Sequence, residues 1–178
     1  NERQYRNPVS LKVSEQIIDK MNFKHYMLKE IYDQPWTAKN WLDNYLIKNL
    51  ENDQYQIKYP FDTEFFESIE RIEIIACGTS KHAAMVGSFL LEQFSGITTN
   101  VFYASEFRYS PPPLLPNTLT IGVSQSGETA DTIAAIQMEI KRRSSIEDKK
   151  FKPHLIAITN RKESSIGRQV SNIIDICA

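Results

Sequence analysis

The stretch Thr118–Thr132 reads TLTIGVSQSGETADT, and its order of residue types decides the fold. The apolar run Leu119–Val123 predicts a buried strand over Thr118–Val123, and isoleucines spaced by three and four residues predict a helix after it. Between the two lies a turn rich in hydroxyl groups. A turn that opens into a helix presents free backbone N–H groups and the positive end of the helix dipole. The turn is therefore a candidate site for an anion such as a phosphate.

The side chains of this turn fit the same chemistry. Ser124, Ser126 and Thr129 carry hydroxyls that can close around a phosphate, and Gly127 lets the backbone approach it. The alternative is an ordinary strand-to-helix turn, because Ser and Thr are also good helix N-caps. On its own, the turn does not separate these two interpretations.

A second strand with the same kind of ending lies earlier in the chain. Arg71–Ala76 (RIEIIA) predicts a buried strand, and Cys77–Ser80 (CGTS) follows it before a second helical stretch. In a parallel α/β sheet, ligands bind outside the carboxyl ends of the strands. We therefore expect the two loops to converge on one pocket, which suits a small phosphorylated ligand better than a dinucleotide.

Strands and helices alternate from Arg71 onward. Three further strands are predicted over Thr98–Ala104, His154–Thr159 and Asn172–Cys177, and helices are predicted to end near Phe94 and Arg143, with a short one from Ser164. This alternation indicates right-handed crossovers and a five-stranded parallel sheet with helices on both faces. In the first of these helices, four apolar residues are predicted to face the core: Val86, Phe89, Leu90 and Phe94.

Residues 1–70 are organised differently. Tyr26–Leu46 has helical periodicity with Pro35 inside it, which predicts two helices over about residues 25–33 and 36–48. The polar segment Glu51–Pro60 is predicted to be a loop, and residues 1–22 show no core pattern.

Composition excludes several classes of protein. The chain has 178 residues, with 21 Lys and Arg against 22 Asp and Glu, so no basic surplus indicates nucleic acid. No apolar run approaches the roughly 20 residues of a membrane span, and the first residues do not resemble a signal peptide. Cys77 and Cys177 are expected to be free thiols of a cytoplasmic protein rather than a disulfide.

Other polar residues give weaker signals. Glu128 is a tempting general base, but a carboxylate would repel a phosphate unless it points away, which favours a structural role. Glu106 and Arg108 could pair with each other or line the pocket. The basic run from Lys141 to Lys152 is expected to be a solvated loop, with a polyanion site as the alternative. No metal site is expected, because three histidines stand apart from other ligands: His25, His82 and His154.

Taken together, these motifs resemble a known family. CGTS after one strand and SQSGET after a later one are similar to the sugar isomerase (SIS) domain. The segments HYMLKEIY (residues 25–32) and ASEFRY (residues 104–109) resemble the branch of that family that aminates fructose 6-phosphate with glutamine. The resemblance covers roughly residues 23–178. It implies a flavodoxin-like SIS domain, a three-layer αβα sandwich with a five-stranded parallel sheet, preceded by N-terminal helices.

The resemblance also implies a ligand, fructose 6-phosphate or glucosamine 6-phosphate, and a homodimer for the full-length protein. It divides the chain into the tail of a glutaminase domain with a linker (1–22), a helical segment (23–70) and the SIS domain (71–178). No cofactor is implied. The substrate-binding residues that carry over are Thr79, Ser80, Ser124, Gln125, Ser126 and Thr129.

No catalytic residue carries over. The first residue is Asn1, so the family's glutaminase cysteine is absent, and its catalytic lysine and glutamate would follow Ala178. The chain alone is therefore expected to be inactive. Two alternatives stay open: a regulatory SIS module that senses a sugar phosphate, and a small phosphosugar isomerase, which would need a Glu–His pair near SQSGET.

Overall fold

The computed structural model describes residues 20–49, 53–58 and 62–178. The described residues fall into two compact units, with the division between Trp36 and Thr37. The prediction of a linker and glutaminase tail falls mainly on residues 1–19, which lie outside the described residues. Within the described ranges, no helix is both long and apolar enough to span a membrane.

Helix α1 runs over Tyr26–Tyr45 with Pro35 inside it, so the predicted break into two helices is wrong. A proline removes one amide donor, but the other hydrogen bonds of a long helix remain. Ion pairs at i,i+4 spacing support the helix on both sides of the proline. Lys29 contacts Asp33 at 2.6 Å before it, and Lys39 contacts Asp43 at 2.8 Å after it.

A short hairpin follows α1. Its first strand lies at the end of the predicted second helix, and its second strand lies in the predicted loop. Strand β1 (Leu46–Lys48) pairs antiparallel with β2 (Tyr55–Ile57). The amide of Asn49 donates to the carbonyl of Gln54 at 2.8 Å. The prediction was wrong for Tyr55–Ile57, because three alternating residues are too few for a period of two to stand out in a polar segment.

Five parallel strands form the main sheet, which confirms the predicted fold class. The strands are β3 (Arg71–Ala76), β4 (Thr98–Tyr103), β5 (Thr118–Val123), β6 (His154–Thr159) and β7 (Asn172–Asp175), in the order β4-β3-β5-β6-β7. Helices α2 (Gly78–Ser95), α3 (Ala104–Phe107) and α4 (Ala130–Ser144) connect them. A single turn of 3₁₀-helix, Gly167–Gln169, lies between β6 and β7.

Helices cover both faces of this sheet because successive strand residues point to opposite sides. Ile74 packs in one cluster with Ala84 of α2, whereas its neighbour Ile75 packs in another with Ile136 of α4. On the α4 side, Gly122 of β5 permits close packing, because a Cβ there would lie 2.9 Å from Ile166 Cδ1 and 3.1 Å from Ile136 Cδ1. The result is a sandwich of helix, sheet and helix.

Helix α2 turns a different face to the sheet from the one predicted. Ala84 is buried and Leu91 half-buried, while the predicted core stripe is solvent-exposed. Spacing of four residues shows that apolar side chains share a face, but it does not show what covers that face. An apolar groove of about 550 Å³ lies between α2 and the sheet. The four residues predicted to be buried but found exposed are Val86, Phe89, Leu90 and Phe94.

A buried ionic network fixes the end of α4. Glu139 and Arg143 are almost fully buried, and Arg143 Nε donates to Glu139 Oε1 at 2.6 Å. Arg143 Nη1 also donates to the Leu115 carbonyl at 3.0 Å, which ties the segment before β5 to the helix. Nearby on β3, the pKa of Glu73 is raised, first by burial and then by the charge of Glu139.

Candidate anion-binding site

The two predicted loops begin side by side. Ala76 at the end of β3 pairs with Val123 at the end of β5, so Cys77–Ser80 and Ser124–Thr129 leave the sheet from neighbouring strands. The chain runs from β3 outward to β4 and then crosses back to β5. The pair β3–β5 is therefore the point at which the strand order reverses, where ligands of open α/β sheets bind.

Within the second loop, Ser124 organises the turn. Its side chain is 2% exposed, and its hydroxyl accepts from the amide of Gly127 at 3.1 Å. The same hydroxyl lies 2.8 Å from Thr129 Oγ1. Two hydroxyls that share one hydrogen bond use only one of their two hydrogens. When Ser124 is the donor, the Thr129 hydrogen is left to be donated to a ligand.

The first turn of α4 is left uncapped by side chains. Thr129 occupies the N-cap position but makes no capping hydrogen bond, because its hydroxyl contacts Ser124 instead. The Ile133 amide donates to the Thr129 carbonyl, and the amides of Ala130, Asp131 and Thr132 precede it. Such amides have no acceptor inside a helix, and they can bind an anion. The geometry therefore favours the anion interpretation over ordinary capping.

Gly127 is required for a reason that the sequence does not show. Its φ is +66°, a left-handed conformation that suits glycine. A Cβ at this position would lie 2.0 Å from Ser164 Oγ and 2.9 Å from Thr159 Oγ1. The close approach that glycine permits here is to the β6–β7 connection of the protein itself.

That connection holds the turn from one side. The Asn160 amide donates to the Gln125 carbonyl at 3.0 Å, and the Ile166 amide donates to the Gly127 carbonyl at 3.1 Å. Sequence reasoning missed this contact. The available signal was the pair Ser164-Ser165, which follows β6 at the same edge of the sheet.

Glu128 is part of the same contact. Its carboxylate accepts from the Ser165 amide at 2.8 Å. Hydrogen bonds from the Ser165 side chain and then from its amide lower the pKa of Glu128. The carboxylate is therefore bound to the protein, in line with the structural role that we expected for it. Of the other residues in the turn, Ser126 is exposed and its hydroxyl accepts from the Glu128 amide at 3.2 Å.

The first loop, Cys77–Ser80, makes fewer side-chain hydrogen bonds within the protein than Ser124–Thr129 does. Thr79 is exposed, Ser80 is half-buried, and Cys77 at the start of α2 makes no side-chain cap. Lys81 lies close in sequence, but its ammonium sits 3.7 Å from the centroid of the Tyr103 ring. Tyr103 ends β4, on the side of β3 away from β5. Lys81 therefore leans away from the second loop.

The structure identifies the ion-pair partner of Arg108, which the sequence left open. Arg108 Nη1 contacts Asp131 Oδ1 at 2.6 Å, so its partner is on α4 and is not Glu106. The pair links the residue after α3 to the first turn of the candidate anion site.

Metal and thiol chemistry is not indicated by the described residues. No group of three or more His, Cys, Asp or Glu among them is arranged to hold a metal ion. His154 packs against the Phe65 ring, and burial lowers its pKa. Cys77 and Cys177 are free thiols.

The fold and the site define a parallel α/β domain with a candidate anion-binding turn at its switch point. The SIS domain profile matches residues 65–178, and the chain belongs to the SIS domain family. It is homologous to the SIS region of glutamine–fructose-6-phosphate aminotransferase.

Three similar proteins illustrate this relationship. The chain is 50% identical over 177 residues to the aminotransferase of Thermosynechococcus vestitus and 47% identical over 172 residues to that of Synechocystis, covering 96% and 94% of this chain. The chain also resembles the solved structure of the C-terminal domain of glucosamine-fructose-6-phosphate aminotransferase from Francisella tularensis, with 31% sequence identity and a TM-score of 0.72. The match covers 89% of this chain and 41% of the Francisella chain. This chain spans 27% of the length of both cyanobacterial relatives.

Proposed function

We propose that this chain binds the phosphate of fructose 6-phosphate or glucosamine 6-phosphate, as the first SIS domain of an enzyme that makes glucosamine 6-phosphate from fructose 6-phosphate and glutamine. The observation that carries the proposal is the uncapped first turn of α4 beside the Ser124–Thr129 hydroxyl pair. The names of the relatives supply the identity of the sugar.

In this proposal the residues divide into two roles. Thr79, Ser80, Ser126 and Thr129 donate hydroxyl hydrogens to the phosphate oxygens, together with the amides of the first turn of α4. Gln125 is exposed at the same turn and contacts the sugar or its phosphate. Ser124 is buried and acts mainly by orienting Thr129.

We also infer that this chain supplies no catalytic group for the reaction. Proton transfer requires a group within hydrogen-bond reach of the reacting atoms. In the described part of the chain, Lys81 lies over Tyr103 and the Glu128 carboxylate accepts from Ser165. We infer that residues 71–178 hold the phosphate and that the chain alone catalyses nothing. Residues 23–70, which contain α1 and the β1–β2 hairpin, are proposed to be a separate segment that precedes the phosphate-binding domain. The full-length enzyme is proposed to be a homodimer.

Titration calorimetry of the 178-residue chain tests this function. Fructose 6-phosphate should bind, and fructose without its phosphate should not. A hydrogen bond to a charged group contributes about 1.5–3 kcal/mol, so Ser126→Ala should weaken binding by roughly tenfold to a hundredfold. Ser88→Ala, which removes an exposed hydroxyl from α2, is the matched control and should leave affinity unchanged. Equal binding of fructose and fructose 6-phosphate, or no binding of either, would contradict the proposal.

A further inference from the structure

The ion pair between Arg108 and Asp131 lies beside the candidate anion site. Arg108 Nη1 and Asp131 Oδ1 lie 2.6 Å apart, and both side chains are partly exposed. The backbone of Arg108 is held in place by its neighbour Phe107, which is 1% exposed and packs edge-on against Phe102 with ring centroids 5.4 Å apart. The buried Phe107 side chain therefore fixes the backbone from which the Arg108 guanidinium extends.

Asp131 is placed where its charge matters to a bound anion. It follows the N-cap Thr129 by two residues and is the acidic residue in the first turn of α4. A carboxylate there favours the helix, because it faces the positive end of the helix dipole. The same carboxylate repels a phosphate bound at that helix end, and the repulsion is strongest at low ionic strength.

We infer that Arg108 is a positioning residue for the phosphate site, which acts by neutralising Asp131 and holding its carboxylate against α3. This inference rests on the proposed function. It gives the ASEFRY segment a role in ligand binding, because that segment carries both the buried anchor Phe107 and the cation. The competing role is direct contact between the Arg108 guanidinium and the phosphate.

A charge cycle separates the two roles. Arg108→Met, Asp131→Asn and the double variant are titrated with fructose 6-phosphate at about 20 mM and about 300 mM salt, where screening differs strongly. Arg108→Met should weaken binding by about threefold to tenfold at low salt, and by less at high salt. Asp131→Asn should bind about as tightly as the parent chain or more tightly. The double variant should recover affinity to within about twofold of the parent.

Lys149→Met is the matched control, because it also removes one positive charge. Lys149 lies in the turn before β6, at the end of the sheet opposite to the candidate site. The affinity of this variant should be unchanged. Thermal unfolding of every variant reports whether it folds. If Arg108→Met does not fold, Asp131→Asn still tests the role of the carboxylate charge.

Each remaining outcome overturns the inference. A double variant as weak as Arg108→Met would mean that Arg108 contacts the phosphate directly. Unchanged binding by Arg108→Met would remove the pair from the site, and weaker binding by Asp131→Asn would reverse the assigned role of its charge. A parent chain that does not bind fructose 6-phosphate refutes the proposed function, which distinguishes that failure from the others.

Discussion

Replacing Gly127 with alanine should break the candidate site and destabilise the fold. Two costs add at this position. Alanine in a left-handed conformation costs about 1–2 kcal/mol, because its Cβ approaches the following carbonyl oxygen. The new Cβ would also lie 2.0 Å from Ser164 Oγ and 2.4 Å from Ser164 Cβ, so the backbone or the β6–β7 connection must move. Forcing extra atoms into a packed site costs about 1–3 kcal/mol more.

The total, about 2–5 kcal/mol, is a large part of the stability of a typical domain. Equilibrium urea unfolding of the 178-residue chain measures it. Two other glycines calibrate the result. Gly96→Ala has a φ of +70° but open space around the Cβ, so it should cost only about 1–2 kcal/mol. Gly87→Ala lies inside α2 with no atom within 4 Å and should stabilise the chain by about 0.5–1 kcal/mol.

A double variant identifies the steric part of the cost. Ser164→Gly removes both of the nearest atoms, so Gly127→Ala should cost less in that background, by about 1–3 kcal/mol. Equal costs for Gly127→Ala and Gly96→Ala would show that the Ser164 side chain does not oppose a Cβ at position 127. An unchanged cost of Gly127→Ala in the Ser164→Gly background would have the same meaning.

Three further predictions concern other parts of the chain. The pKa of Glu73 is raised in the folded state, so its contribution to stability is present at low pH and is lost as pH rises through that pKa. Glu73→Gln should therefore raise the melting temperature at pH 7, and this gain should shrink as pH falls through the raised pKa and be absent below about pH 4; a constant gain at all pH values would exclude ionisation as the cause. Arg143→Leu should destabilise the chain by up to about 3–5 kcal/mol in urea unfolding, because the buried Glu139 carboxylate then keeps only Arg142, at 3.1 Å; a cost below about 1 kcal/mol would contradict this. A coupled assay of the 178-residue chain with fructose 6-phosphate and glutamine or ammonia should show no glucosamine 6-phosphate; turnover abolished by Lys81→Ala or Glu128→Gln would place the active site in this chain.

The strands of the main sheet could be predicted from the sequence because each is a short apolar run with a clear stop. The bounds of Arg71–Ala76, Thr118–Val123 and His154–Thr159 agree with the structure. Side-by-side placement of the two loops followed from the rule for parallel sheets. These features depend on local patterns, so the sequence was sufficient for them.

Contacts between distant segments could not be predicted in the same way. Nothing local to Gly127 indicates that Ser164 lies against it, and nothing local to Arg108 selects Asp131 over Glu106. The outward face of α2 was missed for a related reason, since Phe94 at 81% exposure has the periodicity of a core residue. Periodicity identifies a shared face, whereas its partner is set by tertiary packing.

The pairing of β3 with β5 also has a consequence for how the chain folds. Arg71 pairs with Thr118, so a long excursion through α2, β4 and α3 must close before the two loops stand next to each other. Non-local pairing of this kind slows folding, and a ligand that needs both loops recognises only the assembled sheet. Such a ligand stabilises the native state by mass action, by about 2.7 kcal/mol at a concentration of 100 times Kd. Sugar phosphate in the refolding buffer should therefore slow unfolding while leaving the rate of folding almost unchanged.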